Sequence, residues 1–262
     1  MPISKAHISR LRLLHHKSAR LEAKMFIAEG EKLVEDLLES GMQAHELFML
    51  EAARNRFNTN AFATELNDRI FTVSATEMER ITALSSPSPV LAVFAMKIQP
   101  EIGPIDVEGN LVLALDDIRD PGNLGTIVRT ADWFGIHTIL CSPDTVELYN
   151  PKVVQATMGS LARVNVYYVN LENFISEFAA KMPVYGTLLE GESVYGDNYL
   201  SNGILVIGNE ARGISAALLP YISRKVFIPP AKLDRNQRPE SLNASVATSI
   251  VLSEWFRQQN KL

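Results

Sequence analysis

The apolar positions of this chain follow two patterns, helical spacing and short continuous runs, and together they mark out two α/β stretches. In the first stretch Ile8, Leu11 and Leu14 space out an amphipathic helix. A second helix is predicted from about Glu29 to Ser40, with Val34, Leu37 and Leu38 turned inward and Gly41 as its stop. Short strands are predicted at Leu47–Leu50, Ile70–Val73 and Val90–Ala95. Between the last two, Ser74-Ala-Thr-Glu77 is a capping box that opens a third helix. Residues 98–109 carry Pro100, Gly103 and Pro104 without apolar periodicity and read as a linker.

The second stretch begins with Leu111–Leu115, a continuous apolar run of the kind found in strands buried on both faces. A helix follows from about Asn123, and strands are expected at Thr138–Cys141, Val164–Val169, Val184–Leu188, Ile204–Ile207 and Val226–Ile228. A final helix is predicted from about Ser241 to Gln258. Strand and helix alternate, so the fold class is α/β with a mostly parallel sheet, and functional loops are expected beyond the carboxyl ends of its strands. The expected division is an N-terminal domain at 1–97, the linker, and a second domain at 110–262.

Composition adds constraints. The 262 residues are 47% hydrophobic and 21% charged, ordinary for a folded chain. Cys141 is the one cysteine, which leaves no internal disulfide and points to a reducing compartment. Met1–Arg20 is polar and basic without the apolar core of a signal peptide, and no run approaches the roughly 18 residues a membrane span needs. A cytoplasmic protein without a membrane partner is expected. The five histidines form no ligand-spaced cluster, so no metal site is expected. A net charge of −5 disfavours a polyanionic partner, yet Lys5, Arg10, Arg12, Lys17, Arg20 and Lys24 crowd the first stretch with Glu22 the only acid among them.

Three junctions carry candidate chemistry. After Leu115 the chain runs through Asp120-Pro-x-Asn123-x-Gly125-x-x-x-Arg129-Thr-Ala131, a strand leading into a helix start, where unpaired N–H groups favour anions. Arg129 lies off the apolar stripes of that helix and stands one turn beyond Gly125, so that Arg129 and Asn123 can face one ligand. A second junction reads Gly208-x-Glu210-x-x-Gly213-Ile-Ser215, with glycines that permit close backbone approach. A third runs from Ile228-Pro to Ser241-Leu-Asn243-x-Ser245-Val-Ala247, where Ser241 is the expected helix cap. Each alone also fits an ordinary turn or capped helix.

In this order the three segments resemble the motifs of the SpoU (TrmH-like) family of RNA ribose methyltransferases. Phe26-Ile-Ala-Glu-Gly30…Leu33-Val is similar to the substrate-binding domain that often precedes them, so the resemblance covers nearly the whole chain. It implies a SPOUT-like fold with a trefoil knot near the C-terminus, a feature no chain-topology rule would propose. It also implies a homodimer, for which Trp255 and Phe256 are candidate anchors that serve equally as core. S-adenosylmethionine is the implied cofactor, held by Leu188, Gly208, Ile228 and Leu242, with Asn123, Arg129, Glu210, Ser241 and Asn243 on the reacting side. The six basic residues near the N-terminus are candidate RNA contacts. The implied reaction is methylation of a ribose 2′-hydroxyl, with ribosomal RNA as first substrate and transfer RNA as the alternative; an RNA-binding protein of the same fold without catalysis is the rival from another class. A nucleotide-dependent enzyme of doubly wound type is disfavoured, because Pro121-Gly-Asn-Leu-Gly125 makes a poor phosphate loop.

The family's motif-one arginine has been cast as general base, but a guanidinium holds its proton too tightly for that role. Arg129 is instead expected to bind the phosphate beside the target ribose and to stabilise the developing alkoxide, with Glu210 accepting the proton or orienting Arg129. One departure from the family pattern is the segment between Ile228-Pro and Ser241. It is long, lacks glycine and adds Lys232, Arg235 and Arg238, which are candidate RNA contacts.

Overall fold

A computed structural model describes residues 3–54, 57, 66, 69–98, 102–103, 107–196, 199, 201–231 and 239–259. Lys232, Arg235, Arg238 and half of the expected linker lie outside these. In chain order the helices are α1 (Lys5–Leu13), α2 (Lys17–Ala23), α3 (Glu31–Glu39), α4 (Glu51–Arg54), α5 (Ala75–Ile81), α6 (Pro121–Trp133), α7 (Pro151–Thr157), α8 (Leu171–Phe178) and α9 (Ala244–Gln258). The strands are β1 (Met25–Glu29), β2 (Ala44–Leu50), β3 (Ile70–Val73), β4 (Val90–Ala95), β5 (Leu111–Leu115), β6 (Thr138–Cys141), β7 (Asn165–Tyr168), β8 (Val184–Ser193), β9 (Gly203–Ile207) and β10 (Arg224–Phe227).

The chain forms two compact units, Met1–Ile98 with Glu147–Arg163, and Gln99–Val146 with Val164–Leu262. The first holds a four-stranded sheet in the order β1-β4-β2-β3, antiparallel except for the parallel pair β2–β3. Ile8 and Leu11 of α1 and Met78 and Ile81 of α5 pack with Phe48, Leu91 and Val93 of the sheet, which is why those helices show apolar faces. The capping box forms as predicted: Ser74 Oγ accepts from the N–H of Glu77, and the Glu77 carboxylate accepts from the N–H of Ser74. Gly41 follows α3 at φ +77°, the left-handed turn that suits glycine.

The second unit is built on six parallel strands in the order β10-β8-β9-β5-β6-β7. Strands β5 and β9 are fully buried, as their unbroken apolar runs require. The chain runs outward from β5 through β6 and β7, then continues in β8 on the other side of β9. The loops after β5 and β9 therefore meet where the winding reverses, the position at which open parallel sheets present their sites. Among the described residues no helix is long and apolar enough to cross a membrane.

Three helix starts differ from the sequence-based expectation. Helix α3 begins at Glu31 rather than Glu29, because Glu29 is the last residue of β1 and pairs with Leu91 of β4. Helix α6 begins at Pro121, two residues before Asn123, because Asp120 caps it by accepting from the N–H of Asn123. Helix α9 begins at Ala244, and its cap is Asn243 rather than Ser241. Asparagine is a poor helix former but a good cap, so Asn243 stands before the helix rather than inside its first turn. Trp255 is 1% exposed, packed edge-on to Tyr185 with ring centroids 4.6 Å apart, so it belongs to the core of this unit and is no surface anchor.

Candidate active site

Three loops at the carboxyl ends of β5, β9 and β10 contribute the polar cluster. The first leaves β5 at Asp116, whose N–H continues the ladder to the carbonyl of Ile207 at 2.9 Å. Asp116 is buried, and its Oδ2 accepts from the N–H of Ser215 at 2.7 Å, tying this loop to the one after β9. Asp117 follows at φ +60°, unusual for a side chain with a Cβ. Its N–H donates to Ser142 Oγ and its carbonyl accepts from Asn209 Nδ2, both at 2.8 Å.

The second loop turns sharply at Gly208. A Cβ there would stand 2.3 Å from the backbone carbon of Gly213 and 2.4 Å from the nitrogen of Ile214, so only glycine fits. Asn209 and Gly213 close the turn by exchanging two backbone hydrogen bonds. The turn carries Glu210 toward the first loop.

At the centre Asn123, 7% exposed at the start of α6, joins all three loops. Its Nδ2 donates to Glu210 Oε1. Its Oδ1 accepts from Asn243 Nδ2 at 2.8 Å and, more weakly, from Ser245 Oγ at 3.4 Å. Asn243 Oδ1 in turn accepts from the N–H groups of Ser245 and Val246, at 3.0 and 3.3 Å, and from Ser245 Oγ at 2.7 Å. The direction of each amide is forced. The N-terminus of α9 supplies donors, so Asn243 must present its oxygen there and its nitrogen to Asn123, which then presents its own nitrogen to Glu210. The result is a directed relay from a helix N-terminus to a carboxylate, two amides long, leaving the second Glu210 oxygen outside it. Ser245 stands in the third sequence segment but was not among the expected site residues; its place at the second position of a helix capped by asparagine is the signal that would have marked it.

The remaining expected site residues stand outside this relay. Arg129, one and a half turns further along α6, is exposed and makes no hydrogen bond or ion pair among the described residues, so Glu210 does not orient it here. Ser241 is exposed and makes no hydrogen bond among the described residues. Leu188 and Ile228 are half-buried and Leu242 is 46% exposed. Together with Gly208 they come from β8 and from the loops that follow β9 and β10. A cavity of about 260 Å³ opens at the opposite, amino ends of β5, β6 and β7, lined in part by Asn110, His137, Asn165 and Trp255. It contains none of the relay residues.

The basic residues of the first unit divide. Lys5, Arg12, His15 and His16 line a shallow hollow along α1 with the exposed Leu13. Lys17 and Lys24 are exposed; Arg10 is exposed but bound to Glu46 at 2.6 and 2.8 Å. Arg20 departs from expectation. It is 2% exposed, donates to Glu147 Oε2 from Nε at 3.2 Å and Nη2 at 2.5 Å, and donates from Nη1 to the carbonyls of Leu14 and His15. Its stem lies on the buried face of α2, and Glu147, far away in sequence, neutralises it. It holds structure together and is not available to a partner.

Residues 110–253 match the SpoU rRNA Methylase family, and residues 5–92 match an MRM3-like substrate binding domain. The Bacillus subtilis 23S rRNA (guanosine(2553)-2′-O)-methyltransferase RlmP is 30% identical over 241 residues, 91% of each chain. Among solved structures, a TrmH-family protein from Porphyromonas gingivalis is 35% identical with a TM-score of 0.84, covering 98% of this chain and 99% of its own. An AdoMet-bound rRNA methyltransferase from Sinorhizobium meliloti is 32% identical with a TM-score of 0.83, covering 98% and 97%.

Proposed function

This chain belongs to the SpoU rRNA methylase family, and from that membership we infer that it transfers a methyl group from S-adenosylmethionine to a ribose 2′-hydroxyl of ribosomal RNA. The observation that carries the reading is the relay Asn243–Asn123–Glu210, which joins the three family segments in one polar cluster. The donor fits the residues present. Gly208 offers bare backbone, and Leu188, Ile228 and Leu242 offer half-covered apolar surface suited to an adenosine. When bound, the cofactor supplies an electrophilic methyl on a positively charged sulfur.

The chain's own part is alignment and charge. Glu210, fixed through one oxygen by Asn123, has its other oxygen free to accept the hydroxyl proton. Arg129 binds the phosphate beside the target ribose and stabilises the oxygen as it loses its proton. Holding the reacting oxygen in line lowers the barrier by removing orientational freedom. Ser241 completes the reacting side once RNA is present.

The wider reading follows the same family. Residues 1–97 form the RNA-binding domain, with Lys5, Arg10, Arg12, Lys17 and Lys24 as its cationic contacts, and 110–262 the catalytic domain with a trefoil knot. The protein acts as a homodimer in the cytoplasm. Trp133, 84% exposed on α6 beside the stacked pair Phe134 and Phe256, is the apolar surface that a second copy would cover. Assaying methyl transfer into separated ribosomal and transfer RNA tests the substrate. Label confined to transfer RNA would overturn the ribosomal assignment, and failure to bind S-adenosylmethionine would leave an RNA-binding protein.

A further inference from the structure

We propose that Arg119 and Arg212 form a clamp for RNA backbone phosphate at the mouth of the site, held ready by Asp117; the proposal rests on the reading of this chain as an RNA-modifying enzyme. Arg119 Nε donates to Asp117 Oδ1 at 2.7 Å, and Arg212 pairs with Oδ2 of the same carboxylate. The two arginine side chains are 63% and 61% exposed, whereas that of Asp117 is 14% exposed. One carboxylate between two guanidiniums leaves a net positive charge. Each guanidinium has five N–H donors, and most of them face solvent.

Stability does not explain the arrangement. Exposed ion pairs contribute little, and these loops are already joined by better means. The Asp117 N–H is held by Ser142, its carbonyl by Asn209, and Asn209 Oδ1 accepts from the N–H groups of Ala211 and Arg212. Asp116 adds its bond to Ser215. The backbone beneath both arginines is thus fixed without their side chains, which form an exposed cationic layer over it.

Location gives the layer its use. Arg119 stands four residues before Asn123 and Arg212 two residues after Glu210, on two of the three loops that carry the relay. A ribose 2′-hydroxyl lies between phosphates, and a planar guanidinium binds a phosphate through two parallel hydrogen bonds. Asp117 holds the forks in a defined place, and incoming phosphate exchanges for it. An enzyme that acts on the sugar of any base gains its grip from the backbone in this way.

The test is the affinity of the full-length protein for deproteinised ribosomal RNA as a function of salt, for wild type, Arg119→Gln, Arg212→Gln and Asp117→Asn. Thermal midpoint and S-adenosylmethionine affinity are measured on the same samples. A clamp predicts that each arginine variant loses roughly 0.7 to 0.9 from the slope of log affinity against log salt. Cofactor affinity and thermal midpoint stay at their wild-type values, and Asp117→Asn keeps the full slope. Unchanged slopes in the arginine variants would overturn the clamp. So would a joint loss of cofactor binding in Arg212→Gln and Asp117→Asn, the mark of a loop staple. The two readings fail separately. Lowered slopes with no methyl transfer by wild type keep the clamp and overturn the enzyme, while methyl transfer with unchanged slopes does the reverse.

Discussion

Asn243 donates its side-chain amide to the carbonyl oxygen of Asn123 at 2.8 Å, joining the cap of the last helix to the first turn of α6 across 120 residues of sequence. Asn123 has one amide nitrogen left to give, and it goes to Glu210. The carboxylate therefore takes its orientation from a helix that lies beyond it in the chain.

Asn123→Ala removes the middle of this relay and leaves Asn243 and Glu210 with lost partners. Methyl transfer is expected to fall by roughly 100-fold, the scale on which misplaced catalytic groups cost rate. Stability should fall by only about 0.5–1.5 kcal/mol for the hydrogen bonds lost, because Asn243 is exposed and Glu210 half-buried, so water can replace Asn123. Asn123→Asp should be worse than alanine in turnover, because it sets one carboxylate against another. Single-turnover rates with denaturant midpoints on the same preparations check both; an aspartate variant as active as wild type would show that the relay does not matter.

Gly208→Ala places a methyl 2.3 Å from the backbone of Gly213. Backbone cannot move aside as a flexible side chain does, so the turn must open, at a cost of about 1–3 kcal/mol or more. Cofactor affinity, read by calorimetry, should weaken by at least 10-fold. Wild-type affinity in this variant would remove Gly208 from the cofactor surface.

Arg20 and Arg12 should respond differently. Arg20→Met strands Glu147 as a buried charge and should cost roughly 3–5 kcal/mol. Arg12→Gln should change stability by less than about 0.5 kcal/mol while lowering the salt slope of RNA binding by roughly 0.7 to 0.9. Urea titrations and filter binding separate the two; a stable Arg20 variant would contradict the burial argument.

Glu29 gives a pH prediction. Burial raises its carboxyl above the ordinary value of 4.5, opposed by hydrogen bonds from Thr82 Oγ1 and the N–H of Ala83. A carboxyl with a raised native pKa contributes stability that is full below the unfolded value and is lost as pH rises through the native value. Glu29→Gln keeps a donor and an acceptor for Thr82 and Ala83 and has no proton to lose. The stability difference, variant minus wild type, should therefore grow as pH rises from 4 toward neutrality. A flat difference in denaturation across that range would mean that Glu29 ionises without cost.

Much of this was legible in the sequence, and the exceptions have physical causes. Strands β3, β4, β5 and β6 were predicted to the residue, because buried runs and capping signals are local. The cluster of Asn123, Glu210 and Asn243 was reachable because each lies at a strand–loop–helix junction. Arg20 was misread because nothing near it reveals Glu147, 127 residues away. The packing of Glu147–Arg163 with the first unit is likewise a matter of tertiary contacts, invisible to periodicity. Ser241 looked like the cap because capping preferences name residue types and do not fix the start of a helix to within two residues.

The central claim is that this cluster, with Arg129, carries 2′-O-methyl transfer. Its most direct test is single-turnover transfer of labelled methyl from S-adenosylmethionine into deproteinised ribosomal RNA, comparing wild type with Arg129→Ala. The expected result is label in an alkali-stable linkage, as a 2′-O-methyl gives, and a rate at least about 100-fold lower in the variant with cofactor binding intact. Label on a base, or an Arg129→Ala rate equal to wild type, would contradict it.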